Sequence, residues 1–213
     1  MGRLLGKMLS IRQKLKALRN FSGNFKQYFQ MAKVGEIARR YFVLNAFDGA
    51  LIVLGVVLGT YVAGVTDPHI VISAGLGAGL AMSLSGVWGA YMAEKAERSK
   101  ALKELESALF TDLKNSLWGR ASRVATVWLA FVNGISPVAV ALAAITPFFL
   151  VKLGLLGFQF AVFLSLGTAL AVLFALGMFL GKISKENIFV QGVKMLSAGV
   201  LIALILYFAG LVL

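Results

Sequence analysis

The run "YFVLNAFDGALIVLGVVLGTYVAGV", from Tyr41 to Val65, carries a single charge, Asp48, in an otherwise apolar stretch. About 20 such residues cross roughly 30 Å of hydrocarbon as a helix, so the run is long enough to span a bilayer. A membrane barrel strand would instead alternate apolar and polar residues over about ten positions, and no such alternation is present. An ionised aspartate at the centre of a spanning helix costs about 2.5–3.5 kcal/mol on insertion scales. Chains rarely carry one without a use for it, which makes Asp48 the first candidate for chemistry.

Four more runs of similar length follow, at His69–Ala93, Val124–Leu150, Leu156–Gly181 and Phe189–Leu213. The whole chain of 213 residues is 59% hydrophobic and only 14% charged, with a mean hydropathy of +0.85. A soluble domain of this size needs far more polar surface. The expected fold is all-α: a polytopic membrane protein with five transmembrane helices and a cytoplasmic helical segment between helices two and three. This divides the chain into a basic N-terminal region (1–40), spans one and two (41–93), a Glu/Lys-rich segment (94–123) and spans three to five (124–213). The short "TDPH" connection makes spans one and two a tight hairpin.

The net charge of +12 is unevenly placed. Ten basic residues, from Arg3 to Arg40, precede the first span, and seven, from Lys95 to Arg123, lie between the second and third. Lys182 and Lys185 fall on the same side, whereas Lys152 stands alone on the other. This is the positive-inside pattern together with attraction to an anionic leaflet, not a nucleic-acid footprint. It predicts a cytoplasmic N-terminus and a far-side C-terminus in a multi-pass protein of the cell membrane. Leu4, Met8, Ile11, Leu15 and Leu18 share one helical face amid lysines and arginines. They predict an amphipathic helix that lies on the leaflet or packs on the Glu-rich segment. The first forty residues contain no apolar stretch long enough for a signal peptide.

The absence of cysteine removes disulfides, thiolate metal sites and cysteine nucleophiles. The single histidine, His69, falls in a turn, and the many glycines lie inside apolar runs as helix-packing residues. No nucleophile–base pair, cofactor motif or phosphate loop is present, so the chain reads neither as an enzyme nor as a cofactor protein.

Asn45 lies three residues before Asp48 on the same helical face, which Ile52, Gly55 and Gly59 continue. The small-xxx-small step at Gly55 and Gly59 admits a second helix closely, so Asp48 is expected to face a helix interface. In the second span Gly75, Gly79, Met82, Gly86 and Gly89 form a seam at spacings of four, three, four and three. If the two seams meet, a carboxylate and a thioether share a space, a pairing that suits a divalent transition metal better than calcium or magnesium. Packing alone is the favoured reading of Met82, and a protonated Asp48 bonded to Asn45 or to a backbone carbonyl is the competing account of the carboxyl. Glu94, Glu97 and Glu104 share a helical face, with Glu106 nearby, and such a face gathers cations. Ion pairs with Lys100 and Lys103 are the competing explanation. Asn133, Gly134, Pro137 and Pro147 mark the third span as kinked, with carbonyls freed either to line a cavity or simply to bend the helix. Asn187, Gln191 and Lys194 form a polar stripe where the fifth span begins, with Lys194 able to snorkel.

With "LNAFDGALIVLGVVLG" in the first span, the glycine-rich second span, the Glu-bearing segment, "AITPFFL" and "GKISKENIFVQGVKMLSAG", the chain from Tyr41 onward resembles the vacuolar iron transporter family. The resemblance implies a homodimer of five-helix subunits that moves ferrous iron or manganese out of the cytoplasm in exchange for protons, with the metal as substrate. It implies a metal-binding role for Asp48 and a metal-gathering role among Glu94, Glu97, Glu104 and Glu106. One departure is plain: where the family has "S-M-A-x-G-E-Y" this chain has "SGVWGAY", which puts Gly86 at the methionine and Ala90 at the glutamate. Met82, one turn earlier, is the nearest thioether. The expected metal residues are therefore Asp48, Met82, Asn45, Glu94, Glu97, Glu104 and Glu106. The alternative is a non-transporting membrane protein whose cytoplasmic helices bind a partner or anionic lipid. Transport of an organic cation would call for an aromatic stripe, which the spans lack.

Overall fold

The computed structural model describes residues 34–212. The amphipathic helix expected around Leu4 to Leu18 lies outside the described residues. Five helices follow one another: α1 (Val34–Val62), α2 (Pro68–Leu109), α3 (Leu117–Lys152), α4 (Phe158–Ser184) and α5 (Ile188–Val212). All five are long and apolar enough to cross a membrane. The protein is an all-α, multi-pass integral membrane protein.

Helix starts follow local chemistry. Asp67 Oδ1 accepts the His69 N–H at 2.8 Å and Pro68 occupies the first helical position, where its missing N–H costs nothing. Asn187 Oδ1 accepts the N–H groups of Phe189 and Val190 at 3.1 and 3.3 Å and caps α5. The polar stripe of the fifth span thus begins as a cap, and Gln191 next along it donates to Glu186.

The chain divides into two compact units. The larger holds Arg39–Gly89 and Ala130–Leu213. Its core joins Val43, Ala50 and Leu54 of α1 to Val71 of α2, Ile145 and Phe148 of α3, and Leu173 of α4. Lipid is as apolar as leucine, so helices associate here through close packing, and small residues mark the contacts. A Cβ at Gly49 of α1 would lie 2.8 Å from both the Cα and the carbonyl oxygen of Pro137 in α3. Gly75 and Gly79 of α2 face Ile145 and Ala141, and Gly177 of α4 lies against the backbone of Gln191 and Gly192 in α5. α3 runs unbroken through Pro137 and Pro147.

The second unit contains Ala90–Leu129. The segment 94–123, expected to be helical, is built from the two neighbouring helices: α2 continues through its first part to Leu109, a turn follows, and α3 begins at Leu117. At 1.5 Å per residue the 42 residues of α2 measure about 63 Å, roughly twice what a bilayer needs. Phe110 ends the helix with a left-handed φ of 51°. Glu106 Oε1 accepts the Leu113 N–H at 2.9 Å, Asp112 Oδ1 that of Lys114 at 2.8 Å, and Ser116 Oγ that of Gly119 at 3.3 Å. The Lys114 N–H holds the Asp112 carboxyl below the usual carboxylate range. Its contribution to the turn is present above that range and fades as pH falls through the lowered value.

Candidate functional site

Asp48 is exposed on α1 and makes no hydrogen bond or ion pair with any described residue. The described residues of one chain do not form the helix interface expected around it. Leu44, one turn earlier, is 54% exposed. Further along the same face, a Cβ at Gly59 would meet nothing within 4 Å, and one at Gly55 would meet only Leu206 Cδ1, at 3.8 Å. The close approach in α1 occurs instead at Gly49, the residue after the aspartate, which is turned toward Pro137.

Asn45 does not hold Asp48. Its amide nitrogen donates to the Tyr41 carbonyl at 2.9 Å and to Asn133 Oδ1 on α3. Asn133 is buried, and its own amide donates to the Gly86 carbonyl on α2 at 2.8 Å. Three helices are therefore tied together by one chain of amides, one turn from the exposed carboxylate. Pro137 has no N–H to offer the Asn133 carbonyl four residues back, so that oxygen lacks its helical partner. A Cβ at Gly86 would lie 3.2 Å from Asn133 Nδ2 and 3.4 Å from Asn133 O. The asparagine fills the space that a longer side chain at position 86 would need. Sequence reading singled out Asn133 only as part of a kink. The polar residue beside Pro137 was the available signal, but its partners are 88 and 47 residues away.

Met82 is half-buried on α2. Gly75, Gly79 and Gly86, on the seam expected to face the first span, pack on α3 through Ile145, Ala141 and Asn133.

In the second unit Glu94 is buried and its Oε2 accepts from Arg98 Nε at 2.8 Å. Glu106 holds the turn through Leu113. Glu97 and Glu104 are exposed. No carboxylate in this segment pairs with Lys100 or Lys103 among the described residues; the ion pair there joins Glu94 to Arg98. Nor do the described residues of one chain gather three or more His, Asp or Glu side chains able to hold a metal ion.

The amide chain makes a stability prediction. Asn133→Leu removes both interhelical hydrogen bonds and leaves Asn45 only the Tyr41 carbonyl of its own helix. Interhelical hydrogen bonds in membranes contribute about 0.6 kcal/mol on average and up to about 1.7. Loss of two such bonds, together with the added bulk against Gly86, is expected to lower stability by about 1–3 kcal/mol. Thermal unfolding in detergent measures it, and an unchanged midpoint would remove the amide chain from the account.

Residues 39–116, from the start of the first span through the charged turn, match the VIT family. An uncharacterized protein of the archaeon Methanocaldococcus jannaschii is 35% identical over 176 residues, covering 81% of this chain and 88% of that protein. The region matched by the family contains Asp48, Met82 and all four candidate glutamates, and the likeness to the relative covers a longer part of the chain than that region. The chain belongs to the VIT family, a family associated with membrane transport of metal ions.

Proposed function

We propose that the chain exports a divalent transition metal, Fe2+ or Mn2+, from the cytoplasm in exchange for protons, working as a homodimer in the cell membrane. The observation that carries this reading is the exposed, unpartnered carboxylate of Asp48 on a spanning helix. Facing lipid it would cost about 2.5–3.5 kcal/mol, and no hydrogen bond or ion pair among the described residues of its own subunit offsets that cost. A second copy laid along the open face of Leu44, Asp48, Gly55 and Gly59 covers the carboxylate and sets two of them at one seam. There each carboxylate holds either a proton or a metal ion, and that competition couples the two fluxes. Met82 and the Asn45 carbonyl oxygen are the additional ligands proposed, one soft and one neutral. Glu97 and Glu104, exposed beyond the span, take the metal-gathering role. Glu94 and Glu106 lend their carboxylates to Arg98 and to the turn.

The asymmetry of the basic residues supports a cytoplasmic N-terminus and a cytoplasmic 94–123 segment. Metal identity is tested by the metal content of cells expressing the chain, measured across iron, manganese, zinc, cobalt and nickel. The expected result is a selective fall in cytoplasmic iron or manganese. A content unchanged for every metal contradicts transport.

The dimer has its own test. Gly59→Leu adds bulk to the open face at a position where a Cβ would meet nothing within 4 Å. In detergent the parent chain is expected to scatter light as a dimer and the variant to shift toward monomer, with helical content kept. A monomeric parent, or a variant as dimeric as the parent, removes the seam.

A further inference from the structure

Within the second unit, the end of α2 and the start of α3 enclose an open-sided cavity of about 410 Å³. That is within the usual size of small-ligand sites, roughly 300–1,000 Å³. Five cations line it, Lys95, Arg98, Lys103, Lys114 and Arg123, against one carboxylate, Glu106. Glu106 accepts the Leu113 N–H and is engaged in closing the turn. Among the described residues, only Arg98 of the five pairs with a carboxylate, and it does so through Nε, which leaves its terminal nitrogens outside that bond. Lys95 lies over the Tyr91 ring, 5.7 Å from its centre. The wall also holds Ser99 and Ser122, whose hydroxyls make no hydrogen bond with described residues.

Such a wall repels a divalent cation and attracts an anion, and the guanidinium fork and lysine ammoniums match phosphate oxygens. We propose that this cavity is a phosphate site, taking the phosphate of an anionic lipid headgroup or of a soluble phosphoester. Its position fits both sources. Lys95 follows the apolar run of α2 by two residues and Arg123 immediately precedes that of α3, where headgroups lie, while Lys103 and Lys114 of the lining lie farther along the chain, toward the charged turn. The inference is independent of the metal route and survives if that route fails.

The full chain is tested in nanodiscs of phosphatidylcholine with and without phosphatidylglycerol, and in detergent with inorganic phosphate, at matched ionic strength. The variant is Lys95→Gln with Arg123→Gln; the control, Lys152→Gln with Lys182→Gln, removes the same charge outside the cavity. The expected result is at least about tenfold weaker phosphate-dependent binding in the cavity variant and a near-parental value in the control. Phosphatidylglycerol retained in native mass spectra and not displaced by inorganic phosphate assigns a lipid. Displacement by inorganic phosphate assigns a soluble phosphoester. Equal losses in variant and control, or no binding by the parent, overturn the site. Lys103→Gln, at an exposed position where folding is not at issue, is expected to weaken binding about threefold, and an unchanged affinity there also counts against it.

Discussion

Asp48→Leu will reduce metal flux in proteoliposomes at least about tenfold, to the level of empty vesicles, while the protein inserts and withstands heating at least as well as the parent. The two halves of this result have one cause. On insertion scales leucine at a helix centre gains about 0.3–0.6 kcal/mol where aspartate costs about 2.5–3.5, so the substitution favours the bilayer. Asp48 holds no partner among the described residues of its own subunit, so none of their buried groups is orphaned by its removal. A structural aspartate capping backbone or pairing with an amide would behave in the opposite way, its loss leaving a polar group unsatisfied at about 1–3 kcal/mol. Function lost with stability kept is therefore the signature of a carboxylate retained for transport. Asp48→Asn, nearly the same in shape, is expected to fail in the same way because it cannot exchange a proton for a metal ion. A Leu variant that unfolds, or one that carries metal at the parental rate, contradicts this assignment.

Gly49→Val will be the most damaging single change in α1 outside the aspartate. A Cβ there lies 2.8 Å from the backbone of Pro137, and a backbone that close cannot rotate away as a side chain can. Overpacking of this kind costs about 1–3 kcal/mol, and a β-branched side chain extends the clash beyond the first carbon. The displaced helix also carries Asn45 and Asp48 with it, so the Asn45–Asn133 bond is strained by the same shift. Gly77→Ala on α2 provides the comparison, since its Cβ would meet nothing within 4 Å. There the gain in helix propensity, about 1 kcal/mol, is expected to hold or raise the unfolding midpoint. Midpoints in detergent for the two variants check the contrast, and equal shifts would show that α1 and α3 are not in close contact at Gly49.

The five spans were legible because length and composition alone determine them: each run is about as long as a bilayer is thick. The ends were less so. Between Glu94 and Leu109 all residues but two serines are alanine, leucine, glutamate, lysine or arginine, good helix formers, so α2 continues although hydropathy falls. The direction in which each face points was the harder question. In a helix apolar all round, residues that face lipid and residues that face another helix have the same hydropathy, and periodicity loses its meaning. Gly75, Gly79 and Gly86 were recognisable as a packing seam, but not as one belonging to α3. Asp48 was recognisable as costly, but its open face requires coordinates. Asn133 stood beside a proline, and only the fold brings it to Asn45 and into the space at Gly86. That last contact explains how the chain tolerates glycine where the resemblance leads one to expect methionine.

The central claim is that Asp48 exchanges metal for protons. The most direct test is proton movement in proteoliposomes on imposing a gradient of Mn2+ or Fe2+, followed with an internal pH dye for the parent chain and for Asp48→Asn. The account predicts that the metal gradient drives protons the opposite way across the parent, and that the variant shows neither flux. Equal proton movement through both proteins, or metal flux through the parent without proton movement, would contradict it.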